Sequence, residues 1–228
     1  MKKIYPGIFK AYDIRGIYPS EINEEISNQI GRAFVAYLKA RRIAVSQDMR
    51  LSSPILAEAF IDGARTQGAD VVDYGLMSTD MLYYAVGRDQ YDGGAQITAS
   101  HNPKQYNGMK LVSRKAIPLS GDSGITNIRT MVIDGTIPAP IGKHGSRSEQ
   151  KLLDDYIVHV LSFIEPSSIH PFRLVLDAGS GVAGMVAPAL LDKLPCHSTR
   201  LCFEVDGSFP YHEANPLIEE NRLNLIEQ

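Results

Sequence analysis

The stretch Gly94–Lys110 reads GAQITASHNPKQYNGMK, and its pattern decides how the surrounding chain is interpreted. Its first residues, GAQIT, predict a buried strand that ends in the polar loop Ala99–Gln105. The pair Asn107-Gly108 is a turn signal, and Met109–Val112 predicts a second strand after it. In α/β sheets, ligands bind outside the carboxyl ends of strands, so this loop is a candidate site.

The polar loop carries groups that can perform chemistry. The Ser100 hydroxyl can act as a nucleophile, and His101 or Lys110 can move protons or hold an anion. A second interpretation is a loop whose serine, histidine and Asn102 only satisfy one another and the backbone. The surroundings do not match G-x-S-x-G, so a Ser-His-Asp hydrolase has no motif support.

Helix and strand patterns alternate outside this stretch. An apolar residue at every fourth position predicts a helix that begins at Ser20, which suits the N-cap position. The other patterns are the strand Ile43–Val45, the helix from Ser53-Pro54 to Gly68, the strand Val71–Tyr74, the helical segment Thr79–Val86 and a helix marked by Ile125, Ile128, Met131 and Val132. This alternation predicts a layered α/β domain.

The segment Gly135–Ser148 is rich in Gly, Pro and Ser and has no periodicity, which is typical of a linker. We expect a first domain over residues 1–138, a linker over 139–149 and the start of a second domain over 150–228. The later patterns are a helix over Leu153–Ile164, a strand over Arg173–Asp177, a helix over Val182–Leu194, a strand over Thr199–Val205 and a last helix capped by Asn215 with Pro216 at its first position. The strand–helix–strand order predicts a βαβ unit.

Two further motifs are candidates for anion or cofactor binding. In Ala11–Gly16 (AYDIRG), the Arg15 guanidinium suits a phosphate, and the alternative is a surface ion pair with Asp13. In Asp177–Gly184 (DAGSGVAG), the glycines match G-x-G-x-x-G between a strand and a helix. Glu204 or Asp206 could then hold a ribose hydroxyl, whereas the alternative is a tight turn that needs glycine for steric reasons.

Composition and charge argue against several classes of function. The chain has 228 residues and a formal net charge of −3, whereas nucleic-acid binding rewards a strongly basic face. Cys196 and Cys202 are too few for a disulfide scaffold and do not make a zinc site by spacing, so we expect reduced thiols in the cytoplasm. Met1–Gly7 lacks the apolar core of a signal peptide, and no apolar stretch is long enough to span a bilayer. The sequence also has no D-x-D pair that would offer a carboxylate cluster for Mg²⁺.

Taken together, these motifs resemble the α-D-phosphohexomutases, the phosphomannomutase/phosphoglucomutase family. The hexapeptide Thr98–Pro103 (TASHNP) is similar to the active-site serine loop of that family. The other stretches that agree with the family in order and spacing are Phe9–Gly16 (FKAYDIRG), Tyr106–Lys110 (YNGMK), Val175–Gly184 (VLDAGSGVAG) and Glu204–Pro216 (EVDGSFPYHEANP). The resemblance covers essentially the whole chain. It implies a three-layer αβα domain with a mixed sheet, followed by an incomplete second αβα domain.

The resemblance implies an intramolecular phosphotransferase of the isomerase class that interconverts hexose 1-phosphate and hexose 6-phosphate. Ser100 would carry a phosphoryl group, the intermediate would be a hexose 1,6-bisphosphate, and Mg²⁺ would bind an oxygen of the serine phosphate. The implied catalytic residues are Ser100, His101, Lys110 and Arg15. The implied substrate-binding residues are Tyr12, Arg15, Asn102 and Lys110.

The sequence also departs from the family. The family usually reads G-R-D-x-R where this chain has Ser46–Arg50 (SQDMR), and V-P-T-P where it has Met77–Asp80 (MSTD). Family members have four domains and hold Mg²⁺ with a D-G-D-G-D-R loop, which does not occur in this sequence. We therefore expect an N-terminal portion that is inactive alone, whose partner is a small phosphosugar and neither a nucleic acid nor a membrane. The alternatives are a non-catalytic phosphosugar-binding protein with the mutase fold and, more distantly, a dinucleotide-binding domain built on Gly179–Gly184.

Overall fold

The computed structural model describes residues 4–140 and 142–228. Residues 1–3 and residue 141 lie outside the described residues. Residues 1–3 begin the segment for which we expect no signal peptide, and residue 141 belongs to the expected linker. The chain forms two compact units. Unit 1 contains residues up to 48, 52–99 and 105–150, and unit 2 contains residues 49–51, 100–104 and 151–228.

Unit 1 is built from strands and helices that alternate along the chain, as the apolar periodicity predicts. Its strands are β1 (Ile14–Ile17), β2 (Arg42–Gln47), β3 (Asp70–Leu76), β4 (Gly93–Ile97), β5 (Tyr106–Ser113), β6 (Ile117–Pro118) and β7 (Arg147–Glu149). Its helices are α1 (Glu24–Leu38), α2 (Ser53–Thr66), α3 (Thr79–Arg88) and α4 (Thr126–Ile133).

The described strands of unit 1 form one mixed sheet in the order β1-β5-β4-β2-β3-β7, with β6 paired to β5. The pairs β4–β2, β2–β3 and β3–β7 are parallel, whereas β5 is antiparallel to β1, β4 and β6. The parallel strands β2 and β4 are neighbours, so their carboxyl ends open at the same edge of the sheet.

Helices cover both faces of this sheet. A Cβ added at Gly93 of β4 would contact Phe34 of α1, and one added at Gly94 would contact Val86 of α3. Successive residues of a strand point to opposite faces, so α1 and α3 lie on opposite sides. Every residue of β4 is buried as a result. The three-layer αβα arrangement with a mixed sheet, expected for the first domain, is confirmed.

The first long helix begins later than the sequence suggests. The structure starts α1 at Glu24 with Asn23 as the N-cap, and the Asn23 side-chain oxygen accepts a hydrogen bond from the Ile26 N–H at 3.0 Å. Ser20 lies in the preceding turn, so its assignment as N-cap was wrong. Asn and Ser cap helices about equally well, so residue type alone does not choose between two candidates so close in the chain.

The predicted turn at Asn107-Gly108 was also wrong, because both residues lie inside β5. A Cβ at Gly108 would lie only 1.9 Å from the Ile14 carbonyl oxygen, so the glycine is required by the close approach of β1. Asn107 is fully buried, and its side-chain oxygen accepts a hydrogen bond from the Gly108 N–H at 2.8 Å. Asn107 and Gly108 therefore belong to a strand and do not form a turn.

Unit 2 contains the expected βαβ element. Its strands are β8 (Arg173–Asp177) and β9 (His197–Leu201), which pair in parallel, and its helices are α5 (Leu153–Leu161), α6 (Ala183–Leu191) and α7 (Leu223–Glu227). The strand predicted over Thr199–Val205 ends earlier, because Cys202 adopts a left-handed backbone conformation with φ of 52°.

The helix predicted to start at Asn215-Pro216 does not form there. The Asn215 side-chain oxygen instead accepts a hydrogen bond from the Leu217 N–H at 3.1 Å, which closes a turn. The chain then continues through turns and a short 3₁₀ segment to α7 at Leu223. An asparagine followed by proline favours a turn as readily as a helix start, which explains the error.

The segment expected as a linker contains an edge strand. Strand β7 pairs with β3, with Val71 opposite Arg147, and belongs to unit 1. The Arg147 guanidinium binds Glu58 and Asp73, each at 2.7 Å. The domain boundaries themselves stay a prediction. In the described part of the chain, none of the helices combines the length and the apolar character needed to cross a bilayer.

One partly buried carboxylate of unit 1, that of Asp92, makes the stability of the protein depend on pH. Asp92 accepts hydrogen bonds from the Arg41 and Arg42 N–H groups at 2.7 and 3.1 Å, and also binds Arg114. Burial alone would raise the pKa of Asp92, but these donors outweigh it, so its pKa is lowered. A carboxylate with a lowered folded-state pKa stabilises the protein above its unfolded pKa, and this contribution is lost as the pH falls through the folded value.

We expect Asp92→Asn to lower the free energy of unfolding by about 1–2 kcal/mol near neutral pH, because an amide oxygen accepts hydrogen bonds less strongly than a carboxylate. The difference from the unsubstituted chain should shrink as the pH falls from about 7 to about 3. Urea unfolding followed by circular dichroism measures this. Asp62→Asn, at an exposed carboxylate on α2, is the control and should change stability by less than about 0.5 kcal/mol. A constant difference across that pH range would contradict the prediction.

Candidate active site

A buried hydrogen-bond network fixes the carboxyl ends of β2 and β4 in unit 1. The Asp48 carboxylate accepts hydrogen bonds from the Ser53 hydroxyl at 2.5 Å and from the Thr98 hydroxyl at 2.7 Å. Asn107 extends the network by donating to the Ser53 hydroxyl at 3.0 Å. A fully hydrogen-bonded polar network of this kind holds its backbone segments in one arrangement. It therefore fixes the point from which the Ser100 loop leaves the sheet.

In unit 2, a buried arginine holds the loop that carries Ser100. The Arg50 side chain is 1% exposed, and its guanidinium donates hydrogen bonds to three backbone carbonyl oxygens of that loop. The acceptors are the carbonyl oxygens of Ser100 at 2.8 Å, Asn102 at 2.7 Å and Pro103 at 2.9 Å. The ring of Phe209 lies 5.3 Å from the guanidinium carbon, within cation–π range. A rigid, planar donor of this kind fixes the course of the loop.

Ser100 itself has an unusual backbone conformation. Its φ of 55° lies in the left-handed region, which costs energy for a residue other than glycine. The hydrogen bond from Arg50 to the Ser100 carbonyl compensates part of that cost. The Ser100 hydroxyl lies 3.0 Å from His101 Nδ1, so the ring can accept its proton or donate to it, depending on the tautomer. This arrangement is compatible with a serine that exchanges a group with a ligand.

A second group of the expected residues lies in unit 1. The Asp13 carboxylate forms an ion pair with Arg15, and Lys110 Nζ lies 4.0 Å from the same carboxylate. The ion pair that was the alternative interpretation of Arg15 is therefore present. The buried Arg15 Nε nevertheless has no hydrogen-bond partner among the described residues. An unpaired buried donor on a cation is suited to an anionic ligand.

The structure thus brings the expected residues into two groups. Arg15 and Lys110 share the Asp13 carboxylate in unit 1, where Tyr12 is 77% exposed. Ser100 and His101 are hydrogen-bonded to each other in unit 2. Asn102, also in unit 2, is held through its carbonyl by Arg50.

Comparison with known proteins agrees with this architecture. The family model described as "Phosphoglucomutase/phosphomannomutase, alpha/beta/alpha domain I" matches residues 6–135, and the model of "alpha/beta/alpha domain II" matches residues 154–228. The chain belongs to the phosphoglucomutase/phosphomannomutase family.

Relatives of this family member are known from several bacteria. It is 42% identical over 216 residues to a protein of Xanthomonas campestris named "Phosphohexose mutases", and 40% identical over 221 residues to the phosphomannomutase of Salmonella typhimurium. Each match covers 94% of this chain and 48% of the relative. A crystal structure of a phosphoglucomutase/phosphomannomutase family protein from Burkholderia thailandensis superposes with a TM-score of 0.89 at 34% identity, over 98% of this chain and 50% of that one. The chain spans about half the length of the curated relatives it matches.

In this family member, three residues of the departing stretch Ser46–Arg50 make defined side-chain hydrogen bonds, and whether the contact of the family's G-R pair is kept stays untested. The two positions that differ from the usual G-R pair are Ser46 and Gln47. Ser46 donates a hydrogen bond to the buried Gln96 side chain, which in turn donates to the Met77 carbonyl at 2.9 Å. Asp48 and Arg50 match the family pattern and make the contacts described above. The expectations from sequence did not include these two residues as site residues, although a D-x-R directly after a buried strand is a usable signal.

The glycines of Asp177–Gly184 have structural explanations in unit 2. Gly179 adopts a φ of 52°, and a Cβ at Gly184 would lie 2.2 Å from the Phe203 carbonyl oxygen. The first therefore permits the left-handed turn, and the second permits close packing of α6 against the segment after β9. The Asp206 carboxylate accepts a hydrogen bond from the Ser208 N–H at 2.8 Å. These contacts favour the tight-turn interpretation over the dinucleotide one.

Proposed function

We propose that this chain is the phosphoserine-bearing part of a mutase that interconverts hexose 1-phosphate and hexose 6-phosphate. The observation that carries the proposal is Ser100, a partly exposed serine with a left-handed backbone, on a loop held by the buried Arg50 guanidinium. Loops positioned by a rigid scaffold are where reactive groups concentrate. Family membership gives the class of chemistry.

The proposed reaction has two phosphoryl transfers. In the first, the bond between phosphorus and Ser100 Oγ breaks while a free hydroxyl of the sugar monophosphate forms a new bond to phosphorus. That hydroxyl loses its proton to His101 or to solvent, and Ser100 Oγ takes up a proton as its bond to phosphorus breaks. The resulting 1,6-bisphosphate turns over and returns its other phosphoryl group to Ser100. Such transfers depend mainly on in-line positioning and charge neutralisation.

Arg15 is proposed to bind a phosphate oxygen. Its buried, unpaired Nε supports this role, since the Asp13 carboxylate leaves that donor unused. Lys110 would supply positive charge beside the reacting hydroxyl. Tyr12 and Asn102 are proposed to contact the sugar; Tyr12 is exposed and can approach a ligand.

Mg²⁺ is proposed to bind an oxygen of the phosphate on Ser100. In unit 1, the Asp13 and Asp48 carboxylates already accept hydrogen bonds from neighbouring side chains, so they fit poorly as its ligands. Among the described residues, the serine phosphate is the one Mg²⁺ ligand that we assign, whereas Mg²⁺ prefers six oxygen ligands. When bound, the ion would neutralise charge on the transferring phosphoryl group.

The proposal also covers partners and location. The partner is a small phosphosugar, and the net charge of −3 argues against nucleic acid. Cys196 and Cys202 are both free thiols, which favours a reducing compartment such as the cytoplasm.

Phosphoryl transfer to the serine can be tested directly. Incubation of the 228-residue chain with glucose 1,6-bisphosphate, followed by intact-mass analysis, should show the mass of one added phosphoryl group. Peptide mapping should place it on Thr98–Pro103. Binding of the bisphosphate without any mass increase would contradict the mutase proposal and favour the non-catalytic phosphosugar-binding alternative.

A single slow transfer is enough to label Ser100, whereas turnover needs many repeated transfers. Because we assign only one Mg²⁺ ligand, the serine phosphate, to the described residues, we expect sustained turnover by this chain alone to be negligible. The assay combines the chain with Mg²⁺, hexose 1-phosphate and a trace of bisphosphate, with a full-length phosphomannomutase as the positive control. A rate comparable to that of the control would contradict this expectation.

A further inference from the structure

Three side chains with metal-binding atoms meet in unit 2, and none of them is assigned to phosphoryl transfer. Asp177 is the last residue of β8, Cys202 directly follows β9, and His212 lies in the loop after it. Their ligand atoms all lie within 4.8 Å of one another. The Asp177 and His212 side chains are only 9% and 15% exposed.

Neighbouring groups orient two of these ligands. Asp177 Oδ1 accepts a hydrogen bond from the Gly179 N–H at 2.8 Å, which turns Oδ2 toward His212. His212 Nδ1 lies 2.9 Å from the Glu213 carbonyl oxygen. A histidine that binds a metal through one nitrogen usually donates its other N–H to a carbonyl or carboxylate in this way.

The hydrogen-bond pattern places two acceptor atoms, His212 Nε2 and Asp177 Oδ2, next to each other unless a proton or a metal ion lies between them. The Glu213 carbonyl can only accept, so Nδ1 carries the proton, and in a neutral ring Nε2 then presents a lone pair. That lone pair lies 3.1 Å from Asp177 Oδ2, which is also an acceptor. Either a second proton on the ring or a metal ion between the two atoms would satisfy both.

The distances fit a small tetrahedral ion. Zinc bonds of about 2.0–2.3 Å to N, O and S place two ligand atoms of a tetrahedron roughly 3.3–3.7 Å apart. The observed 3.1 Å between Asp177 Oδ2 and His212 Nε2 is close to that value. Cys202 needs to move by no more than about 1–1.5 Å, which a rotation of its side chain supplies.

We propose that Asp177, Cys202 and His212 form a binding site for a divalent transition-metal ion, with zinc as the best match and water as the fourth ligand. Thiolate and imidazole ligands select zinc over Mg²⁺, so the site is chemically different from the one proposed at the serine phosphate. It is independent of the mutase proposal. A bound ion would connect the ends of β8 and β9 to the His212 loop and thereby stabilise unit 2.

The test uses the full chain, freed of metal with a chelator and kept reduced. Titration calorimetry with Zn²⁺ should give about one ion per chain, and Co²⁺ should produce the near-ultraviolet absorption of a thiolate-to-cobalt bond. Cys202→Ser should remove that absorption and weaken Zn²⁺ binding by more than about 100-fold, because losing a direct ligand costs more than the 10–100-fold of an outer partner. Zn²⁺ should also raise the melting temperature of the unsubstituted chain but not of the variant.

The chain offers matched controls for each ligand type. Cys196→Ser replaces the chain's other cysteine and is the control for Cys202→Ser. His144→Gln replaces an exposed histidine and is the control for His212→Gln. Both controls should bind Zn²⁺ as tightly as the unsubstituted chain. The proposal is overturned if Zn²⁺ does not bind, if Co²⁺ binds without the thiolate absorption, or if Cys196→Ser weakens binding as much as Cys202→Ser. The first of these outcomes would leave a protonated His212 as the partner of Asp177.

Discussion

Replacing Ser100 with alanine is expected to abolish labelling by glucose 1,6-bisphosphate, from about one phosphoryl group per chain to none. The substitution removes the oxygen that forms the bond to phosphorus, so no other change in the loop can restore the reaction. In a form of the enzyme that turns over, loss of a nucleophile lowers the rate by about 10⁴-fold or more. Intact-mass analysis and peptide mapping measure the labelling.

The same substitution should leave the fold intact, which separates the chemical role of Ser100 from a structural one. Its hydroxyl contacts His101 at a partly exposed position, and losing such a contact costs less than about 0.5 kcal/mol. Ser167→Ala is the matched control, since the Ser167 hydroxyl is also exposed and hydrogen-bonds Glu165 at 2.9 Å. Full labelling of Ser100→Ala, or lost labelling of Ser167→Ala, would assign the reaction to another residue.

The fold was largely predictable because its elements are long and periodic. The stripe of α1 and the buried strands β2, β3 and β4 are specified by local sequence, and the alternation of helix and strand defines the layers. The predictions failed at positions whose local structure is determined by tertiary contacts. Gly108 is compatible with a turn by composition, yet the approach of the Ile14 carbonyl places it in a strand. Asn215-Pro216 forms a turn where a helix start was equally consistent with the sequence.

The candidate site was only partly predictable, for the same reason. The sequence places Ser100 after a buried strand, and the structure has it there. The D-x-R spacing could have marked Arg50 as a candidate, but not its role, because its three acceptors are backbone carbonyl groups of a loop distant in sequence. The proposed zinc ligands come from three separate segments, so no motif links Cys202 to Asp177 and His212.

Arg50→Ala is expected to lower the free energy of unfolding by about 3–5 kcal/mol, because it leaves buried hydrogen-bond acceptors unsatisfied and removes a large buried side chain. The alanine would leave three backbone carbonyl oxygens without the guanidinium donors that now satisfy them. It would also leave a cavity beside Phe209. Since single domains are stable by only about 5–15 kcal/mol, this variant is expected to be partly unfolded or poorly expressed.

Arg50→Lys is the more informative variant because it retains the charge. A lysine ammonium cannot reproduce the planar fork that reaches the carbonyl oxygens of Ser100, Asn102 and Pro103 together. We therefore expect a folded chain whose loop is displaced, and a displacement near 1 Å at a reacting group lowers rates by about 100-fold. Labelling by the bisphosphate over time measures that rate, with circular dichroism as the check on folding.

Arg200→Lys is the matched control within unit 2. Arg200 also lies over a phenylalanine ring, that of Phe203 at 6.0 Å, but its side chain is 36% exposed and pairs with Asp192 at 2.8 Å. Exposed ion pairs contribute about 0–1 kcal/mol, so this variant should be labelled at the rate of the unsubstituted chain. If a folded Arg50→Lys chain were labelled as fast as Arg200→Lys, the course of the Ser100 loop would not depend on the guanidinium. The reactivity of Ser100 would then have to come from its local contacts, such as the one to His101.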